Sequence, residues 1–190
     1  MPFGQVIPVT NLNLGFPGRI SELGDPLPIA KPVLGTTPHN IAFGAPVVVI
    51  PNASGGGDTV QSVADFIAGG GTFTAAKFGG VAISNVKVQF GYPSNPDVPQ
   101  VGSYAPNETC NFLVRGTVDV VINNGTPASQ GTVYVRVAAN ASLPNTSVGD
   151  FEAAADGTNT VALTGVVFRN GNLVDANNVF EITILERVAA

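Results

Sequence analysis

The sequence predicts an all-β fold: an antiparallel β-sandwich, jelly roll or barrel-like body with a proline-rich extended N-terminal arm and at most one short helix. Three observations carry this reading. Apolar and polar residues alternate with a period of two along several stretches, as strands with one buried face require. Turn residues recur roughly every dozen positions between those stretches. Nine of the fifteen prolines fall within the first 51 of 190 residues, a density that removes ladder donors and prevents helix.

The organisation that follows is one domain, an extended arm over residues 1–51 and a β-rich body over 52–190. The arm is too apolar to be a solvated linker, whose composition would be hydrophilic. Val6, Ile7, Leu12, Leu14, Phe16, Ile20, Leu23, Leu27 and Ile29 are therefore its candidate partner-contact residues. Residues 41–50 read as the first strand. After a glycine-rich loop, Val60, Val63, Ala64 and Ile67 fall on one helical face behind an Asp58 or Thr59 cap, with Gly69 as terminator. Residues 78–90 read as a strand interrupted near Ser84 and Asn85, and 92–106 as a proline-rich loop.

The strongest pattern lies between 111 and 137. Phe112, Val114, Gly116, Val118, Val120 and Ile122 are apolar or small, while Asn111, Arg115, Thr117 and Asp119 are polar, which predicts one dry and one wet face. Asn123, Asn124 and Gly125 then favour a turn, and Val133, Val135 and Val137 return in phase, so the expectation is a hairpin. Beyond it, 148–155 is a weak strand, 160–169 a strand and 179–185 a last strand, in which Phe180, Ile182 and Ile184 alternate with Glu181 and Thr183. Each alternating apolar set is expected to be buried.

Composition narrows the functional classes. A chain of this length can bury roughly 70% of its unfolded surface, and a single cysteine, Cys110, leaves no intramolecular disulfide. The opening residues lack the basic start and apolar run of a secretory signal, which sets the expectation of a reducing cytoplasm. Only 11% of residues are charged and the mean hydropathy is +0.29, yet no apolar run approaches the ~20 residues of a membrane helix. A net charge of −5 with scattered basic residues argues against nucleic acid. Asn52, Asn107, Asn124, Asn140 and Asn145 stand in Asn-x-Ser/Thr triplets and read as turn residues.

Catalytic chemistry is sparse. His39 and Cys110 are a formal nucleophile pair, but the simpler reading is a turn histidine and a thiol serving as a small hydrophobe. Two such residues cannot fill a zinc site. No metal, cofactor or catalytic residue is assigned. Glu22 with Asp25, Asp150 with Glu152, and Glu181 with Glu186 are the available carboxylate pairs, and solvated strand faces or turns explain each. The glycine runs at 55–57 and 69–71 lack the Lys-Ser/Thr of a phosphate loop. Few aromatic platforms are present for sugar, with no Trp and only Tyr92, Tyr104 and Tyr134 beside eleven Phe.

Several segments, read in order, resemble the structural cement, or capsid decoration, proteins of tailed bacteriophages. They are GFPGRIS at 15–21, FGGVAISNVK at 78–87, YAPNET at 104–109, VRGTVDVVI at 114–122, GTVYVRV at 131–137, GDFEAAADG at 149–157 and EITILE at 181–186. The resemblance implies a non-enzymatic virion protein, made in the bacterial host cytoplasm, that decorates the outside of an icosahedral head. Its partners would be the major capsid protein and itself, as a dimer or trimer, with no nucleic acid and no membrane. The alternative is a β-sandwich module of a phage tail or fibre that recognises a glycan or receptor.

Overall fold

The computed structural model of the chain describes residues 15–21, 26–52, 55–84, 102–169 and 177–185. Eleven strands run through them: β1 Leu27–Pro32, β2 Ile41–Ala42, β3 Pro46–Ile50, β4 Thr59–Ser62, β5 Gly80–Ala82, β6 Ser103–Tyr104, β7 Thr109–Val121, β8 Thr132–Arg136, β9 Phe151–Glu152, β10 Thr160–Phe168 and β11 Val179–Ile184, with one α-helix, α1, at Val63–Ala68. The all-β expectation holds. Nine strands share one sheet in the order β4-β3-β5-β7-β11-β10-β8-β9, with β1 also on β7, while β2 and β6 make a separate ribbon.

Both ends of that order return to where they started. Ile122, just past β7, bridges Phe151 in β9, so β7, β11, β10, β8 and β9 close on themselves. On the other side Val33, just past β1, bridges Val60 in β4, which closes β7, β5, β3, β4 and β1. Two hydrophobic cores pack against these walls, and the first also takes Val48 from β3, Val81 from β5 and Val63 from α1. Val118, Val120, Ile122, Val133, Val135, Phe168, Ile182 and Ile184 belong to the first, and Val33, Val47, Val60, Ala82, Cys110, Phe112 and Val114 to the second, to which the ribbon adds Ile41 and Tyr104. The Tyr104 hydroxyl donates to the Ile83 carbonyl at 2.8 Å, and burial, then the nearby Cys110, pushes its pKa up to about 12.

β7 belongs to both closures, and the expected single dry face is corrected. Phe112 and Val114 line the second core, Val118 and Val120 the first, and Leu113, of opposite parity, also joins the first. The phase changes around Gly116, which adopts φ +120 and on which a Cβ would lie 3.1 Å from the Pro26 Cα. The wet face is corrected too, since Thr117 and Asp119 are buried.

The expected hairpin is not formed. β7 pairs with β11, and β8 with β10 and β9. The turn-prone residues after β7 serve another purpose: Asn123 N donates to Phe151 O and Ala153 N to Asn124 O, so they tie the end of β7 to β9. The helix is shorter than the apolar spacing implied, because Val60 lies in β4 and the cap is Ser62, whose Oγ accepts from Asp65 N at 3.0 Å. Gly69 ends it as expected. Of the 78–90 segment only Gly80–Ala82 is strand among the described residues. Residues 41–50 divide into β2 and β3, and β1 adds a strand in the proline-rich region that the sequence reading left unpaired.

The buried set otherwise follows the alternation: Phe112, Val114, Val118, Val120, Val133, Val135, Phe180, Ile182 and Ile184 are buried, and Val137 is half-buried against the first core. Val118, fully buried and opposite Ile182, has no place for a charge. Val118→Asp is expected to abolish cooperative folding, since an unpaired buried carboxylate costs several kcal/mol against a total stability of about 5–15 kcal/mol. A melting curve of the soluble variant that matched wild type would refute the strand assignment.

Candidate interaction surface

The segment 15–21 is held as an extra strand beside β7. Ile20 bridges Val118, Gly18 N donates to Asp119 O at 2.7 Å, Asp119 N to Arg19 O at 2.9 Å and Ser21 N to Thr117 O at 3.1 Å. β1 then runs antiparallel along the first half of β7, with Leu27 opposite Arg115 and Pro32 opposite Thr109.

This frame sorts the candidate contact residues. Phe16 and Leu27 point outward, 62% and 47% exposed. Ile20 packs against the first core and Ile29 against the second, both half-buried. Val6, Ile7, Leu12, Leu14 and Leu23 lie outside the described residues. Leu185, 56% exposed, was missed by the sequence reading. It directly follows Ile184, whose partner is Gly116, so it stands with Leu27 where β7 bends. The alternation of β11 already carried that signal: with Ile184 buried, the next side chain points out.

The chemistry-bearing groups do not assemble a nucleophile. Cys110 is fully buried in the second core, while His39 is exposed and meets the buried Asp65 through Nδ1 at 2.6 Å. The other Asp65 oxygen accepts from Ser62 Oγ at 2.9 Å. A Ser-His-Asp relay needs the imidazole between hydroxyl and carboxylate; here the carboxylate stands between them. The surrounding hollow, about 200 Å³, is lined by His39, Asn40, Ser62, Asp65 and Asp150 among others. Among the described residues, no group of three or more His, Cys, Asp and Glu could hold a metal ion, and no helix is long and apolar enough to cross a membrane.

The reading of Glu152 as a solvated acid is corrected, while Asp150 stays partly exposed as a turn acid. Glu152 is fully buried and accepts from Arg136 Nε and, at 3.0 Å, from Arg136 Nη2. The equally buried guanidinium also reaches Asp156 at 2.9 Å and the Ala138 carbonyl at 3.1 Å. Asn124 donates to Glu152, Asn140 to Asp156, and Asn123 to Asp150. A single cation thereby ties the connections around 123, 138 and 156 together at one end of the first closure. The hydrogen bonds that Arg136 donates to Glu152 raise the Arg136 pKa further. Asn140, and then Arg136, hold the Asp156 carboxyl below its usual range.

The family described as structural cement protein (E217 gp24/Pam3 gp6) matches residues 7–185. The chain belongs to that family. It is thus a structural cement protein of phage virions, as the resemblance implied. Among solved structures, a chain of "The capsid of Myoviridae Phage XM1" is similar to this cement protein in fold, with a TM-score of 0.60 at 15% identity over 98% of this chain and 99% of that one. No curated protein matches.

Two outcomes test the buried network of the cement protein. Arg136→Met leaves Glu152 without its cation and is expected to cost about 3–5 kcal/mol in chemical denaturation, whereas Arg136→Met with Glu152→Leu recovers most of that loss. A single variant as stable as wild type would show that the pair carries no such burden. Because the Asp156 carboxyl is depressed in the folded state, its contribution is complete above the unfolded value of about 3.9 and is lost as pH falls through the lower folded value. Asp156→Asn should therefore flatten the stability loss below about pH 4; melting curves across that range decide it.

Proposed function

We propose that the chain sits on the exterior of an icosahedral phage head and clamps neighbouring major capsid subunits, using its N-terminal region as the contact arm and its two closed cores as a rigid body. The family match over residues 7–185 is the observation that carries this reading. Phe16 and Leu27 would meet the shell, with Val6, Ile7, Leu12, Leu14 and Leu23 from the same region. Ile20 and Ile29 would serve indirectly, by anchoring the arm to the body. Proline stiffness favours such a role, because a preordered segment loses less entropy on binding. Self-association as a dimer or trimer is part of the proposal, and catalysis is not. Support for the latter comes from the structural character of the family and from the separation of His39 and Cys110.

The alternative, a glycan- or receptor-binding module of a tail or fibre, would need stacking platforms. Tyr104, the Tyr best placed in the core, is spent on Phe43 in an edge-to-face contact at 5.2 Å.

The segment beside β7 and all eleven strands lie beyond residues 1–14, so a chain lacking those residues tests the arm. The shortened chain is expected to melt as wild type does while its occupancy on empty heads falls, since each large apolar side chain withdrawn from an interface is worth about 1.5–3 kcal/mol. Equal occupancy would remove residues 1–14 from the contact; a collapsed melting transition would make them part of the body.

A further inference from the structure

Residues 16–19 form a tight turn that is fixed from both sides. Arg19 N donates to Phe16 O at 3.1 Å, Pro17 occupies the second position, and Gly18 takes φ +80 in the third, the arrangement of a type II turn. Beyond its bond to Asp119, Gly18 accepts from Ser84 N at 2.7 Å, and a Cβ there would lie 2.7 Å from that same nitrogen. The turn is thus hydrogen-bonded to β7 on one side and to the end of the β5 segment on the other. The Phe16 ring is 62% exposed, although Ile20, four positions on, packs into the first core.

Arg19, at the other corner of the turn, is also exposed. An aromatic ring and a guanidinium on one rigid turn have the composition of an interface hot spot, where Phe-type rings and Arg are enriched. With the backbone already fixed, binding has only the rotamers of the two side chains left to order. A Cβ on Gly15 would press on Asp119 Oδ2 and lie 3.4 Å from Arg19 Nη1, so the guanidinium sits near the buried Asp119 carboxylate. On a chain that carries −5, this exposed cation on the same turn as the ring still marks a place where an acidic partner surface is attracted.

We propose that the Phe16–Arg19 turn is the docking anchor of this protein: Phe16 enters an apolar pocket on the major capsid protein, and Arg19 pairs with carboxylates at the pocket's edge. The assignment of the partner rests on the capsid reading above. It separates Phe16 and Arg19, which bind, from Ile20, which only holds the turn in place.

The test measures occupancy of full-length protein on empty heads, with melting curves and sedimentation alongside. Phe16→Ala and Arg19→Glu are each expected to lower affinity by about tenfold or more with melting unchanged, Arg19→Lys to lower it less, and added salt to weaken wild type more than Arg19→Glu. Wild-type binding with both variants undiminished overturns the anchor and leaves the capsid reading standing. Heads left bare by wild type overturn both. If Phe16→Ala dissolves an oligomer in sedimentation while occupancy is kept, the pocket belongs to a second copy of this chain and the proposal fails.

Discussion

At Gly116 one strand passes from one core to another, and most of the architecture depends on that passage. An extended strand of 13 residues would keep each parity on a single face throughout. With the phase changed at Gly116, β7 gives Phe112 and Val114 to one core and Val118 and Val120 to the other. It can therefore be the common wall of two closures. The bend also opens the corner where β1 begins and β11 ends, opposite Arg115 and Gly116. Any side chain at 116 would press on Pro26, so the corner needs glycine both for its φ and for its space.

Closure has a consequence for assembly. Free sheet edges are templates for pairing with another chain, and both ends of this strand order are covered, by Ile122 on β9 and by Val33 on β4. β1 is masked in another way. Val33 N points to Glu108 and Leu34 N away from it, to Val60, so even-numbered positions of the strand face outward, and Pro28 and Pro32 hold two of them without a donor. At the opposite end of the first closure, Arg136 and Glu152 pair inside the protein. Such a pair adds little net stability but makes every alternative arrangement of its loops leave a charge stranded. It ties down connections that have no strand of their own.

How much of this was legible follows from what each signal encodes. Alternation located β7, β8, β10 and β11 and their buried residues, because period and burial are properties of a single segment. Pairing is not, and the adjacency of β7 and β8 was inferred from a turn signal at 123–125 that in fact serves contacts to β9. The change of phase at Gly116 was visible only as a glycine among apolar residues, which fits a small core position as well as a bend. Glu152 sits next to Phe151 in a two-residue strand, too short to show alternation, and its burial depends on Arg136 sixteen positions earlier. On the contact surface, proline density and apolar content singled out the arm, but they could not separate Phe16 from Ile20. That distinction comes from the ladder with β7.

The same ladder changes what the composition means. A mean hydropathy of +0.29 with 11% charged residues fits apolar burial against other protein as well as in the chain's own core. Two small cores need more lining residues than one large core of equal volume, since enclosed surface grows faster than volume as a core is divided. Among the described residues, the large hydrophobics left exposed are Phe16, Leu27 and Leu185. Within the described residues, the apolar excess is thus mostly internal. With strand edges closed, any contact made through the described residues falls to a few outward side chains on an ordered backbone, and such contacts derive their strength from preorganisation more than from area.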